Sequence, residues 1–409
     1  MIAIAPFRAL RYNPNLVHDV SCVISPPYDV IDATQQEQLY QASPYNIVRL
    51  ILGKPSPDDT EENNRYSRAQ RDFADWRAHH VLRQDATPAV YLIEHTFDDA
   101  GSQNTRLGFI ALLQFGEGAE RSVYRHEATL SAPKADRTKL LDAVPANLEP
   151  IFCIYPDEAG TIQAALAAQT KRVAPTVQAT IAGESVRVWA LTDATLLQRI
   201  TAHLATVSVL IADGHHRFEV AYAKRAQYGA LMSYFVSMAD PALRVRPIHR
   251  IVQSTTTSPP QALQELCVVE RAATLEGPLA WLNATMDVRG RFGYYENGNL
   301  YYVTVKAERL AQWLMAPPVP LPLALLDVSV LHGLMLPHLG LNGHSVRYAA
   351  NASEILQEVD GGTGRSGWLL RGIPITQVYA LAAQGLILPP KSTYFYPKVP
   401  SGLTINPLT

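Results

Sequence analysis

Residues 207–217 read VSVLIADGHHR, and residues 218–228, FEVAYAKRAQY, follow directly. Val207 to Ala212 is a short, apolar, β-branched run of strand length. It stops at the turn pair Asp213-Gly214. From Phe218 to Tyr228 the spacing is helical, with Phe218, Ala221 and Tyr222 on one face and Glu219, Lys224 and Arg225 elsewhere. A buried strand that turns at a glycine into a helix is a building unit of α/β architecture. The same unit makes a site. The first N–H groups of a helix lack intrahelical partners and carry about half a positive charge. Gly214 lets a ligand approach the backbone, and His215, His216 and Arg217 add donors. Phosphate or carboxylate suits such a place. Asp213 reads either as the helix cap or as a group that binds magnesium or handles a proton. An Asp-Gly step is also an ordinary turn. The three consecutive polar donors after a buried strand tip the reading towards function.

Outward from this unit, strand patterns occupy Ala89–Phe97, Leu107–Leu113, Pro150–Tyr155 and Val186–Leu191. Helical spacing occupies Asn63–His80, where Tyr66, Ala69, Phe73 and Trp76 recur at three and four, then Thr161–Thr170 and Ala194–Ala205. Ser21–Ile31, with its Pro-Pro pair, is expected to run from strand into loop. Asn46–Leu52 is expected to be a strand, Glu117–Ala132 an irregular loop, and Lys139–Val144 part of a helix ended by Pro145. Beyond about residue 255 the texture changes. Thr255–Pro260 is a linker candidate, Asn297-Gly298 a hairpin turn, Pro317–Pro322 a Pro-rich loop, and Thr376–Gln384 a helix before a Pro-rich tail. The alternation predicts a mixed α/β (α+β) protein. Gly361–Gly367 (GGTGRSG) lacks the Gly-Lys-Ser/Thr ending of a phosphate loop and reads as a flexible surface loop. Asp327 and His332, in an apolar helical stretch, read as satisfied buried polar groups.

The chain has 409 residues, longer than one typical domain. Its 47% hydrophobic content excludes wholesale disorder. Lys and Arg number 35 against 37 Asp and Glu, a net charge of −2. No global charge signal points to nucleic acid as a partner, so any anion site is local. The three cysteines, Cys22, Cys153 and Cys267, are far apart with no CxxC, which argues against a disulfide framework and a structural zinc site. There is no HExxH and no GxSxG. No run approaches the roughly 18 apolar residues of a membrane span, and the start, MIAIAPFRALRY, does not resemble a signal peptide. A soluble, cytoplasmic protein without a membrane partner is expected.

Two further clusters carry ionisable or hydroxyl groups. HEATLSAPKADR places His126, Glu127, Lys134, Asp136 and Arg137 within residues 126–137, as a site loop or a solvated one. Pro390-Lys391-Ser392-Thr393-Tyr394-Phe395 is a site segment or a packed arm. Taken in order, His126-Glu127, Asp213-Gly214-His215-His216-Arg217 and Pro390-Lys391-Ser392-Thr393 resemble the motifs of the free-serine kinases of the ParB/sulfiredoxin superfamily. The chain as a whole is similar to domain-of-unknown-function family 1015. Its features match there at Pro6-Phe7-Arg8-Ala9, Ser25-Pro26-Pro27-Tyr28-Asp29, the two site motifs, and residues 391–398, KSTYFYPK.

The resemblance implies a ParB/sulfiredoxin-like catalytic core at 121–255. An N-terminal α+β extension, 1–120, would pack on it, and a C-terminal α+β region, 256–409, would return its tail, 388–400, to the site. It implies a kinase that moves a phosphoryl group from ATP, or ADP, to the hydroxyl of free L-serine. The partners are then a nucleotide and a small hydroxyl compound. Magnesium would be bound through the phosphates, with Asp213 as a possible protein ligand. By motif position Glu127 is the general base, with Asp213 and His216 also catalytic. Gly214, His215, His216, Arg217, Lys134 and Arg137 would hold phosphates, and His126, Lys391, Ser392 and Thr393 the amino-acid substrate. Ser392 stands where those kinases favour Thr, and they lack an extension such as residues 1–120. The same motifs also suit a ParB-type nucleotide-binding or nucleotide-hydrolysing switch, or a non-catalytic module that binds a phosphorylated metabolite.

Overall fold

The structure, a computed structural model, describes residues 1–99, 101–253, 259–285, 288–341 and 346–408. The chain divides into two units, residues 1–243 with 397–409, and residues 244–396. Most of the expected linker at 255–260 lies outside the described residues.

The first unit is built on a nine-stranded sheet. Its strands are β1 (Ala3–Ala5), β2 (Val90–Asp99), β3 (Ser102–Gln114), β4 (Val123–Tyr124), β5 (Ile151–Tyr155), β6 (Val177–Ile181), β7 (Glu184–Leu191), β8 (Val209–Asp213) and β9 (Ala230–Ser237). The order is β4-β8-β5-β9-β3-β2-β7-β6, with β1 also beside β3. β8 runs parallel to β4 and antiparallel to β5, and β9 runs parallel to β5. The expected mixed α/β class is what the chain adopts. β5 and the Val209–Ala212 part of β8 are buried throughout, which is why they read as unbroken apolar runs rather than alternating ones. Leu166 of the helix Thr161–Arg172 and Ile200 and Leu204 of the helix Ala194–Leu204 share one core with Phe109, Tyr155 and Phe235 of the sheet. Each fully buried side chain of this size contributes about 1.5–3 kcal/mol.

A second core in this unit joins α1 (Arg65–Ala78), through Phe73 and Trp76, to Leu140 and Val144, to Leu10 and Tyr12, and to Ile405. Asn64 caps α1 with bonds from Tyr66 N and Ser67 N. The last residues belong here by pairing: Leu10 bonds Ile405, Ser25 bonds Ser401, and Asn406 pairs with Asn147.

Several expectations are corrected. Asn46–Leu52 is not a strand; Val48–Ile51 is a helical turn. Asn46, fully buried, accepts from Val48 N and donates to the carbonyls of Cys22 and Ile24, and this capping overrides the β propensity of the run. Ser21–Ile31 holds two short 3-10 turns, Val20–Cys22 and Tyr28–Val30, instead of a strand. Within Glu117–Ala132, expected as an irregular loop, Val123–Tyr124 is a strand, and α2 (Ser131–Ala143) takes in Ser131 and Ala132 and carries Lys134, Asp136 and Arg137 of the candidate site loop on a helix. Pro133 lies in its first turn, where a missing N–H is harmless. The helix after β8 starts at His215, as α3 (His215–Ala223), and a separate turn, Arg225–Tyr228, follows.

The second unit holds a six-stranded antiparallel sheet. Its strands are β10 (His249–Val252), β11 (Cys267–Ala272), β12 (Arg291–Glu296), β13 (Asn299–Val305), β14 (Val346–Ala349) and β15 (Ser366–Leu369), in the order β11-β13-β12-β15-β10-β14. Asn297 and Gly298 take φ of 49° and 73°, the turn their dipeptide predicts. Ser366-Gly367, expected in a surface loop, instead opens buried β15. Asp327 and His332 are hydrogen-bonded, as expected. Among the described residues no helix is long and apolar enough to cross a membrane.

Candidate active site

The end of β8 sets the site. Leu210 and Ile211 pair with Ile154 and Cys153, but Asp213 pairs with Phe152, so Ala212 is an extra residue. This bulge re-aims Asp213. Gly214 follows at φ 92°, and a Cβ there would lie 2.9 Å from Cγ2 of Ile151. Both the angle and the approach demand glycine. α3 begins immediately, and no side chain caps it. Asp213 is therefore not the helix cap.

Two cations hold the Asp213 carboxylate. Arg217 Nη2 donates to Oδ2 at 2.9 Å, and Lys398 Nζ donates to Oδ1. Lys398 also donates to Asp29 Oδ2 at 3.1 Å. Its side chain is only 12% exposed. Burial opposes its charge, but Asp213 and Asp29 outweigh burial and hold its pKa above the ordinary lysine range. Arg217 Nη1 donates to the Pro150 carbonyl, while its buried Nε has no partner among the described residues. Burial disfavours this guanidinium as well, but Glu149, Asp213 and Asp29 raise its pKa overall.

His126 and His215 are buried with their rings edge to face, centroids 4.7 Å apart. Burial drives the His126 pKa down to about 4, despite a backbone bond at Ile211 and the charge of Asp213. Burial, then the neighbouring histidines and Lys398 and Arg125, take His215 well below the usual range. Both rings are neutral at pH 7. His215 Nδ1 lies 4.0 Å from Glu127 Oε2, and its buried Nε2 has no hydrogen-bond partner among the described residues. The Glu127 side chain is about a third exposed. His216 Nε2 accepts from Leu130 N at 2.9 Å, where α2 begins.

One residue, Glu219, fixes the loop that carries His126 and Glu127. It accepts from Arg125 Nη1 at 3.1 Å, Thr129 Oγ1 at 2.7 Å and Lys134 Nζ at 3.1 Å. Burial raises its pKa, but the bonds from Thr129 and Lys134 prevail and hold it below the usual carboxylate range. Arg137 is buried and bonds Asp136 and the Ile51 carbonyl, with its guanidinium 3.9 Å from the Tyr28 ring centroid. Glu149 accepts from Tyr28 N at 3.1 Å and from Ser401 Oγ at 2.9 Å. Arg217 and Arg137 line one cleft, with Leu141, Glu149, Val220 and Leu231.

The structure thus gathers His126, Glu127, Asp213, Gly214, His215, His216 and Arg217. Lys134 and Arg137 stand close by on α2, but their charges are engaged by Glu219 and by Asp136. Lys391, Ser392 and Thr393 fall in the second unit, where the Lys391 carbonyl accepts from Arg250 Nη2 at 3.0 Å and Ser392 Oγ bonds the Pro389 carbonyl. Sequence reasoning missed Lys398, Asp29, Glu149 and Glu219 as members of the site. Lys398 and Asp29 sit in family-like segments and were visible there. Glu219 gave a signal only in its place one turn after His215.

Among the described residues no group of three or more His, Cys, Asp or Glu side chains could hold a metal ion. Both oxygens of Asp213 already accept from cations, so these residues do not form a magnesium site of their own. An oxyanion fits better: the start of α3 is uncapped, and Arg217 Nε and His215 Nε2 are unpartnered donors or acceptors nearby in the chain.

Among solved structures the chain is similar to a free serine kinase in complex with AMP, at 12% identity and a TM-score of 0.33, covering 70% of this chain and 86% of that one. It is similar to a conserved hypothetical protein from Pyrococcus furiosus at 11% identity and a TM-score of 0.35, covering 73% and 95%. A third is a C-terminally truncated SbnI from Staphylococcus aureus, at 10% identity and a TM-score of 0.37, covering 73% and 87%. No curated protein matches. Residues 4–329 match the family described as protein of unknown function, DUF1015, and with most of its length inside that match the chain belongs to this family.

Proposed function

We propose that this protein transfers the γ-phosphoryl group of ATP to the hydroxyl of free L-serine, forming O-phospho-L-serine. The observation that carries the reading is the meeting of two motifs distant in sequence: Glu127 Oε2 lies 4.0 Å from His215 Nδ1, beside the Asp213-Gly214 turn.

Phosphoryl transfer requires positioning and charge stabilisation more than covalent chemistry. The uncapped start of α3 suits the phosphates. Asp29 and Asp213 would repel them if bare. Lys398 and Arg217 balance the two carboxylates, so incoming phosphates meet a neutral cluster and a positive helix end. Glu127, partly exposed, takes the proton of the serine hydroxyl. The neutral His215 next to it adds no cation that would weaken it as a base. Magnesium, when bound with the nucleotide, would supply further neutralisation of phosphate charge.

The test is purified protein with ATP or ADP, Mg²⁺ and L-serine, scored for O-phosphoserine. Glu127→Gln is expected to lower turnover about 10²–10⁴-fold, the range for loss of a general base. Equal product from parent and variant would sink the reading. Nucleotide hydrolysis without an amino-acid acceptor would assign a switch instead. Phosphoserine binding without turnover would assign a binding module.

A further inference from the structure

The second unit carries a group of cations that the proposed reaction does not use. Arg250, Arg289 and Arg371 line a recess together with Asp327, Gln377 and Ser392. Among the described residues Asp327 is its one carboxylate, and both its oxygens are taken, by Gly290 N at 2.8 Å and Arg371 Nε at 2.6 Å. Among the described residues three guanidinium groups face one carboxylate here, an excess of two positive charges at the recess.

Two of the three arginines are buried. Arg250 is fully buried and donates to neutral groups: His332 Nε2 at 2.9 Å, the Ile248 carbonyl at 2.7 Å and the Lys391 carbonyl at 3.0 Å. The Tyr348 ring lies 4.7 Å from its Cζ. Burial lowers its pKa to about 10, and burial holds His332 neutral at about 4. The Arg371 side chain is 4% exposed. Its Nη1 bonds the Thr285 carbonyl, but its buried Nη2 has no partner among the described residues. Buried charges are ordinarily paired, so an unpaired guanidinium corner on a recess points to a ligand. The helix Ile375–Ala383 starts where Gly372, Ile373 and Pro374 line the same recess, adding its positive end.

We propose that this recess of the second unit binds a phosphate group. Guanidinium forks match the oxygens of phosphate, and two net positive charges match a dianion. Free phosphate and a small phosphate monoester share that chemistry.

The experiment is calorimetric titration of the full chain with inorganic phosphate and, separately, with glycerol phosphate, for the parent and for Arg289→Ala and Arg371→Met. Arg289 is partly exposed, so Arg289→Ala is expected to fold, with circular dichroism as the check. Saturable binding is expected, weakened at least about tenfold in Arg289→Ala, as for loss of one charge-assisted contact. Phosphoserine formation is expected to be unchanged in that variant. Tighter binding of the monoester would assign a metabolite phosphate, and tighter inorganic phosphate the free ion. No saturable binding, or equal binding by folded Arg289→Ala, would overturn the proposal. Failure of the serine reaction with Arg289-dependent binding intact would leave it standing.

Discussion

Replacing Lys398 with Met tests the charge cluster directly. The Lys398 ammonium bonds Asp213 and Asp29, with its side chain 12% exposed. Lys398→Met keeps most of the side-chain volume and removes the charge. Asp213 retains Arg217 at 2.9 Å, and Asp29, a third exposed, can recruit water. Breaking a buried pair costs about 3–5 kcal/mol, and these two circumstances place the loss near the lower end, about 3 kcal/mol. For a unit of roughly 250 residues, that is a fall in Tm of about 6–12 °C. The sign with pH follows. A lysine whose folded pKa is raised contributes stability that is complete below its unfolded value, about 10.4, and is lost only as pH rises through the folded value. Parent and variant are therefore expected to differ fully at pH 7. Below about pH 4 the carboxylates protonate in both, and the difference is expected to shrink. Differential scanning calorimetry at pH 7 and pH 3.5 measures this. A change under 1 °C at pH 7, or an equal gap at both pH values, would refute the argument.

Three further outcomes are expected. Gly214→Ala places a Cβ 2.9 Å from Ile151 Cγ2 at φ 92°; denaturant titration is expected to show a loss of about 1–3 kcal/mol, and an unchanged midpoint would show that the turn relaxes freely. Glu219→Gln weakens the bonds to Arg125, Thr129 and Lys134. Because these pairs are partly exposed, the global loss is expected to be only about 1 kcal/mol, but amide exchange across residues 125–130 is expected to accelerate, and unchanged exchange would mean the loop is held by something else. His126 has a folded pKa of about 4, below its unfolded value near 6.5, so its contribution is complete above pH 6.5 and is lost as pH falls towards 4, by about 3 kcal/mol in all. Its imidazole signals, and those of His215, are expected not to titrate between pH 8 and pH 5 in NMR spectra, and a midpoint near 6.5 would show that the rings are solvated.

The parts of this fold that were legible in the sequence are those where local signals and packing agree. Val209–Ala212 is apolar throughout because both faces of the sheet are covered, and Asn297-Gly298 forms a hairpin because its two positive φ angles suit Asn and Gly. The misreadings have physical causes too. Asn46–Leu52 carries a strand-like composition, but a buried Asn46 side chain bonds three backbone groups and winds the run into a helical turn. The resemblance counts Arg137 and Lys134 among the phosphate ligands. A sequence shows that a charge exists and not which carboxylate meets it, and Asp136 and Glu219 engage both. The resemblance gives Lys391 a place at the amino-acid substrate and says nothing of a partner for Asp213. The ammonium that reaches Asp213 belongs to Lys398, because the tail rejoins the first unit only from Pro397 onward.

That return of the tail explains why features spread along the chain converge on one turn. Asp29 comes from the Pro-Pro-Tyr-Asp segment, Asp213 from the end of β8, and Lys398 from the tail. Each of the two carboxylates meets a cation from another part of the sequence, and Asp213 and Asp29 together outweigh the burial that opposes the charge of Lys398. Tyr28, next to Asp29, lies against Arg137 and bonds Glu149 through its N–H, and Glu149 also accepts from Ser401. A core consisting of residues 121–255 alone would keep Asp213, Arg217, Glu149 and Arg137. It would lose Lys398, Tyr28, Asp29 and Ser401, leaving Asp213 with one cation and Glu149 without two of its donors. Unpaired buried charge is costly, so residues 1–120 and the tail are part of what makes the Asp213–Arg217 turn electrostatically viable, not additions to a core that could do without them.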